Sequence, residues 1–281
     1  MTRLSARCAW RPSLTVCLSG VATQFHGLPE GLYKRLHDLL APFETASPTP
    51  AVNVSITRQT EPPLWLVAVD GASQHGFRSA TDLLQYLEWL AVAHAAQASA
   101  QHILVHAGAV VKEAMTLLLL GDSGAGKTTV TMGLLQRGWL PLSDDLALVS
   151  PYSRVIAPFP RCFHADDFTA TTIAHPALFE AAGALKGYLR PLRWADAPAR
   201  VSCLVRLARD AAAPTSAQPI SQAEGAGALL QAAISTALPR REVARVAVGV
   251  TADASCWQVN NGLLDDTLDT LEQLAAIAHE T

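Results

Sequence analysis

The stretch Gly121-Asp122-Ser123-Gly124-Ala125-Gly126-Lys127-Thr128-Thr129 fits G-x-x-x-x-G-K-[ST], the pattern of a loop whose backbone N–H groups wrap phosphates. Gly121, Gly124 and Gly126 permit backbone angles and close approach that a Cβ would forbid. Lys127 supplies a point charge for β- and γ-phosphates, and the Thr128 hydroxyl is a candidate Mg²⁺ ligand. Lys127 is one of only four lysines in the chain, which weighs against an incidental surface lysine beside a glycine turn. The surroundings agree. The apolar run Met115 to Leu120 reads as a buried strand entering the loop. A helical segment from Lys127 to Arg137 leaves it and stops at Gly138, so a helix N-terminus faces the phosphates. The expected ligand is a nucleoside triphosphate, held by the loop from Gly121 through Ser123, Gly124, Ala125, Gly126, Lys127 and Thr128 to Thr129.

Outward from the loop, Ile103–Val111 reads as a strand and Lys112-Glu113-Ala114 as a short break before Met115. A gap this short allows only a hairpin, because a parallel crossover needs a dozen or more residues. After Gly138, Trp139–Val149 reads as one strand carrying Asp144-Asp145. Val201–Leu207 and Val243–Val250 read as further strands, Ala223–Thr236 as a helix, and Leu263–His279 as an amphipathic helix with Leu264, Leu268, Leu271 and Ala275 inward. Phe159–His164 is a loop or short strand, Thr169–Ala182 is mixed, and Tyr188–Arg193 (YLRPLR) is expected to be exposed. Ala211–Gln218 and Pro239-Arg240-Arg241 read as surface connections. Residues 1–98 form a separate N-terminal α+β unit without evident chemistry, and 99–281 a P-loop core of α/β class with a mixed sheet. In the first unit, Leu14–Cys17 and Trp65–Asp70 are strand-like, turns fall at Pro48–Pro50 and Pro62–Pro63, and Leu83–Ala98 is a buried helix.

Composition excludes several functional classes. A length of 281 residues at 50% hydrophobic is enough for a sizeable core. A net charge of −3 and a pI near 6.3 give no footprint for nucleic acid. Cys8, Cys17, Cys162, Cys203 and Cys256 make an odd count without a C-x-x-C pair, pointing to a reducing cytoplasm. SLTVCLSGVA near the N-terminus is too short and broken for a signal peptide, and no run approaches a membrane span of ~20 residues. A cytoplasmic protein is expected, its oligomeric state left open with a homo-oligomer among the options.

Phosphoryl transfer needs charge compensation, Mg²⁺, and a group that accepts the hydroxyl proton or orients water. Asp144 and Asp145 follow Lys127 after one helix and one return strand, which brings them back beside the loop. Their flanking residues Leu140, Leu142, Leu146 and Leu148 argue against a solvated turn, since charges in an apolar strand are costly unless paired or metal-bound. One would hold metal and the other act as base, in either order. His106 in LVHAGAV and Arg161 in PFPR are weaker candidates when read alone. His164, Asp166, Asp167 and His175 show no metal-ligand spacing and are read as surface residues. Arg190 and Arg193 fit either a lid or a solvated strip.

Together, His106-Ala107, GDSGAGKTT, Arg137-Gly138-Trp139, SDDLAL at Ser143–Leu148 and PFPR at Pro158–Arg161 resemble the HPr kinase/phosphorylase C-terminal domain family. The likeness is greatest to its shorter kinase-related members, which include kinases of lasso-peptide precursors. It covers about 100 to 165 and departs in having His-Ala where the family has His-Gly, and in lacking its acidic, glycine-rich second signature. The resemblance implies a core related to phosphoenolpyruvate carboxykinase and transfer from ATP to a serine of a peptide or small protein. It implies nucleotide and Mg²⁺ at Lys127 and Thr128, base and metal ligand in Asp144/Asp145 (Asp145 taken as the metal ligand beside Thr128), and His106 near the transferred phosphate, and it strengthens Arg161 as a catalytic candidate that could reach a phosphate. Two other readings remain: a small-metabolite kinase of shikimate type, with Arg190–Arg193 as its lid, and a nucleotide-sensing module without catalysis. No nucleic-acid or membrane partner is expected.

Overall fold

In a computed structural model the described residues are 13–18, 21–43, 50–62, 64–98, 102–210, 213–234 and 238–280. Cys8, the turn residues Pro48 and Pro63, Ala211 and residues 235–236 of the expected helix lie outside them. The chain divides into two compact units, Met1–Ser99 with Ala181–Lys186, and Ala100–Glu180 with Gly187–Thr281.

In the first unit, β1 (Leu14–Leu18), β2 (Val21–His26), β3 (Val52–Arg58), β4 (Trp65–Val69) and β5 (Ser73–Phe77) form one sheet in sequential order. Only β2 and β3 pair in parallel, and α1 (Glu30–Leu40) lies between them in sequence, as a crossover requires. Leu32, Leu36, Leu39 and Leu40 recur at helical spacing and are buried. The helix α2 (Ala80–Ala98) buries Leu83, Leu84, Leu87, Leu90 and Ala91. The return of Ala181–Lys186 had no sequence signal. It is tied to α1, with Arg35 Nε donating to the Gly183 carbonyl at 2.8 Å and the Gly183 N–H to Asp38 Oδ2 at 2.6 Å.

The second unit contains β6 (Ile103–Val105), β7 (Gly108–Lys112), β8 (Met115–Leu120), α3 (Lys127–Gln136), β9 (Leu140–Ser143), β10 (Ala147–Val149), β11 (Val155–Ala157), β12 (Phe163–His164) and α4 (Asp167–Thr172). Then come β13 (Phe179–Ala181), β14 (Tyr188–Pro191), β15 (Ala199–Arg200), β16 (Cys203–Ala208), β17 (Ser216–Pro219), α5 (Gln222–Ala232), α6 (Arg240–Ala252), β18 (Ser255–Asn260) and α7 (Leu264–Glu280). The main sheet has the order β17-β18-β16-β8-β7-β9 and is mixed: β18, β16 and β8 run parallel, while β7 pairs antiparallel with both β8 and β9. A smaller antiparallel sheet has the order β15-β11-β10-β6.

The strand β8 shows how the core is built. Leu117 and Leu119 pack with Leu268 and Leu271 of α7 and Val130 and Leu134 of α3. Leu118 and Leu120 point the other way, into Leu229 of α5 and Val243, Val246 and Val250 of α6. This is the period-2 alternation of a strand covered on both faces.

Four expectations are corrected. Ile103–Val111 is two strands broken at His106-Ala107, and Trp139–Val149 is two strands broken at Asp144–Leu146. In each case the chain leaves one sheet and enters the other. Tyr188–Arg193 is not an exposed strip, because Tyr188 and Pro191 are buried in β14 and Arg190 pairs with Glu180 at 2.7 Å. Val243–Val250 is helix, not strand. Its β-branched residues favour a strand locally, but Val243, Val246, Ala247 and Val250 recur every three or four residues and are buried, so packing overrides propensity. The Ala211–Gln218 connection also includes part of the exposed strand β17.

The helix in place of a strand makes a sharp forecast. Val246 is 1% exposed and Val248 59%, although a strand would put both on one face. Val246→Asp should cost roughly 3 kcal/mol or more by burying a charge, and Val248→Asp less than about 0.5 kcal/mol. Urea denaturation checks both, and equal losses would contradict the helix.

Candidate functional site

The chain leaves β8 through Gly121 and turns back into α3, placing the loop Gly121–Gly126 at the helix N-terminus. Gly126 has φ 93°, and a Cβ there would meet the Asn261 amide nitrogen at 2.3 Å. That amide, 8% exposed, donates to the Ala125 carbonyl at 3.0 Å, and its oxygen accepts from the Thr267 hydroxyl at 3.1 Å. Asn261 therefore braces the loop from the far end of β18, a role the sequence did not reveal. Inside the loop, the Lys127 ammonium donates to the carbonyls of Gly121 (2.8 Å) and Asp122 (3.2 Å). Burial lowers its pKa, against the opposing charges of Asp145, Asp144 and Asp122.

The two sheet-switching breaks meet beside this loop. In the main sheet Ala109 lies opposite Ser143, and in the smaller sheet Val105 lies opposite Ala147. His106 and the Asp144–Leu146 segment occupy the crossing between these two registers. The turn is tight, since the Leu146 N–H donates to the Asp144 carbonyl at 2.9 Å around Asp145, whose φ is 64°. A non-glycine residue in that region stores roughly 1–3 kcal/mol, which the surrounding structure must offset.

The strained turn sends the two carboxylates to different environments. Asp144 is 3% exposed, and its Oδ2 lies 3.5 Å from the Thr128 hydroxyl. Its Oδ1 is buried without a hydrogen-bond partner among the described residues. Burial and then the Asp145 charge push the Asp144 carboxyl up to about 7, against the lowering effects of Arg161, Thr128 and Lys127. Asp145, with a side chain 42% exposed, lies 4.0 Å from His106 Nε2. Burial and the Lys127 charge hold the His106 imidazole below its ordinary value, with Asp145 opposing them. Sequence reasoning had paired Asp145 with Thr128, whereas the hydroxyl contact belongs to Asp144.

A cavity of about 250 Å³ opens over Ser123, Gly124, Gly126, Lys127, Thr128 and Thr129, with His106 and Asp145 on its wall. Its remaining wall was missed from sequence: His164, Asp166, Thr169 and Arg209. His164 and Asp166, read as surface residues, are exposed to solvent but face this space. Asp166 caps α4, its Oδ1 accepting from the Thr169 N–H at 2.7 Å, and Thr169 meets the Thr129 hydroxyl at 2.9 Å. The cap was legible as Asp three residues ahead of Thr, but no local pattern tied α4 to the loop. Asp167 and His175 are exposed and line no part of this cavity. Arg161 is half-buried, off the cavity wall, and acts on Asp144 through its charge.

No known family profile matches the chain. An HPr kinase/phosphorylase from Mycoplasmopsis pulmonis is 42% identical over 53 residues, which make up 19% of this chain and 17% of that protein. The match thus spans under a fifth of the relative's length. The structure of the Hpr(Ser) kinase/phosphatase from Coxiella burnetii aligns with 63% of this chain and 99% of its own, at 12% identity and a TM-score of 0.27, too low to carry an argument. Over that 53-residue segment the chain is similar to an HPr kinase/phosphorylase.

Proposed function

We propose that this protein is a Mg-ATP-dependent kinase that transfers the γ-phosphate to a serine hydroxyl of a peptide or small protein, with a ribosomal peptide such as a lasso-peptide precursor as the sharpest case. The observation that carries this reading is the division of the carboxylate pair: Asp144 buried at the Thr128 hydroxyl with one oxygen unpartnered among the described residues, Asp145 open to the cavity beside His106. An unpartnered buried carboxylate oxygen is costly unless a cation completes it. Mg²⁺ takes one or two protein oxygens and fills its remaining positions with phosphate and water, so Asp144 and Thr128 are a fitting donor set. When bound, Mg²⁺ neutralises charge on the β- and γ-phosphates.

The remaining work falls to the chain's own groups. The N–H groups of the loop and the N-terminus of α3 hold the phosphates, and Lys127 adds a fixed positive charge. Asp145 takes the proton from the acceptor hydroxyl. The hydroxyl oxygen bonds to the γ-phosphorus as the bond from that phosphorus to the bridging oxygen breaks, releasing ADP. His106, kept neutral by burial and Lys127, orients the Asp145 carboxylate. Arg161 offsets charge at Asp144. A metabolite kinase with an arginine lid is less favoured, because Arg190 is already engaged by Glu180. A sensor without catalysis leaves Asp145 and His106 without a task.

Asp145→Asn should lower kcat by about 10²–10⁴ while nucleotide affinity is retained, and Lys127→Ala should weaken nucleotide binding itself. Calorimetry with an ATP analogue and a radiolabel transfer assay separate these effects. Wild-type turnover in both Asp144→Asn and Asp145→Asn would defeat the mechanism. Asp144 also makes a forecast about pH. Its folded pKa lies above the ordinary 3.8, so the metal-free folded protein keeps a proton that the unfolded chain loses. The stability from that proton is complete below about pH 4 and disappears as pH rises through about 7. In EDTA, the melting temperature of the wild type should therefore fall more steeply from about pH 5 to 8 than that of Asp144→Asn. Identical slopes would mean that Asp144 does not titrate there.

A further inference from the structure

Resting on that kinase reading, we propose that a second cavity, lined in part by His106, is the acceptor site. It takes an aliphatic peptide segment that carries the reactive hydroxyl together with an acidic side chain close by. This cavity has a volume of about 480 Å³ and shares only His106 and Ser123 with the 250 Å³ cavity over the loop. Its size falls within the range of roughly 300–1,000 Å³ typical of ligand sites. A hydroxyl delivered from it arrives at the partition where His106 and Asp145 stand, the place the proton must go.

One side of the wall is apolar and small: Leu120 at the end of β8 and Ala228, Ala232, Ala233 and Ile234 at the end of α5, with Ile234 58% exposed. Gly121, Asp122 and Ser123 of the loop and Gln231 of α5 complete it. The end of α5 is also tied to the partition by main-chain bonds. The His106 N–H donates to the Ala232 carbonyl at 2.8 Å, the Ile234 N–H donates to the Leu104 carbonyl at 3.0 Å, and Val105 bridges Ala233. A segment lying on that wall is therefore held in fixed register with His106, which is the positioning that transfer between two bound partners requires. Arg206 reaches the same cavity from an exposed position on β16 and forms no ion pair among the described residues. It is the cation for an acidic side chain on the occupant.

The nucleoside has other space. A third cavity of about 390 Å³ borders the acceptor cavity at Gly121, Asp122, Ser123 and Arg206 and runs on past Gly124 and Ala125 to Ala208 of β16, Arg209 just after it, and Gln258 of β18. That is the side of β8 away from β7 and β9, hence away from the carboxylates.

The test uses the full chain, Mg²⁺, γ-labelled ATP and serine peptide pools that differ only in their flanks: aliphatic with Glu, aliphatic with Lys, and Gly/Asn only. Gln231→Trp fills the cavity from an exposed position, and Arg206→Glu reverses its charge. The expected result is wild-type preference for the aliphatic-Glu pool and a KM for it at least about tenfold higher in Gln231→Trp, with the affinity for a fluorescent ATP analogue unchanged. Arg206→Glu should shift the preference to the aliphatic-Lys pool. Wild-type KM and preference in both variants would overturn the acceptor site and leave the kinase reading standing. Loss of nucleotide affinity in Gln231→Trp would overturn it by giving the cavity to the nucleotide. Bound nucleotide with no label in any pool would overturn the peptide-kinase reading and this site with it.

Discussion

The site depends on the two strand connections that change sheets side by side. A chain that ran straight from Ile103 to Val111 and from Trp139 to Val149 would make two long strands, with Asp144 and Asp145 on opposite faces of the sheet. Instead both connections break at the same level, held by Ala109 opposite Ser143 on one side and Val105 opposite Ala147 on the other. The break frees His106 and the acidic pair from ladder pairing and turns them toward the glycine loop. The strained backbone at Asp145 is the local cost of that arrangement, offset by the buried apolar residues on both sides, Leu142, Ala147 and Val149 among them.

From this constraint follows the electrostatic character of the site. One carboxylate goes into the interior beside a threonine hydroxyl, where burial raises its pKa, and its neighbour stays at the cavity wall. Of two identical side chains adjacent in sequence, Asp144 thus acquires a raised proton affinity from its surroundings alone. Gly121 and Gly126 of the loop are fixed by a similar crowding of distant parts. Gly126 is needed because Asn261 lies where a side chain would go, and Asn261 is there because β18 is a parallel strand of the main sheet.

The legible parts of the site were those written in consecutive residues. The glycine loop, its strand, its helix and the hairpin ahead of it depend on short-range rules of spacing, chain reach and backbone freedom. The paired aspartates stood out because charges inside a leucine-rich run need a partner. The contributions of His164, Thr169, Arg209 and Asn261 were not legible, since each reaches the loop from an element far along the chain and shows no pattern of its own. The helix at Val243–Val250 was misread for a related reason. Valine favours strands locally, and only the apolar face offered by Leu118 and Leu204 selects the helix.

The sequence alone determined the glycine loop, the strand and helix on either side of it, and the presence of an acidic pair soon afterwards, because those features obey local geometry. The tertiary structure alone decided which aspartate is buried, what stands opposite it, and which distant residues close the cavity. Burial and proximity belong to the packed sheets, and no consecutive run of residues records them.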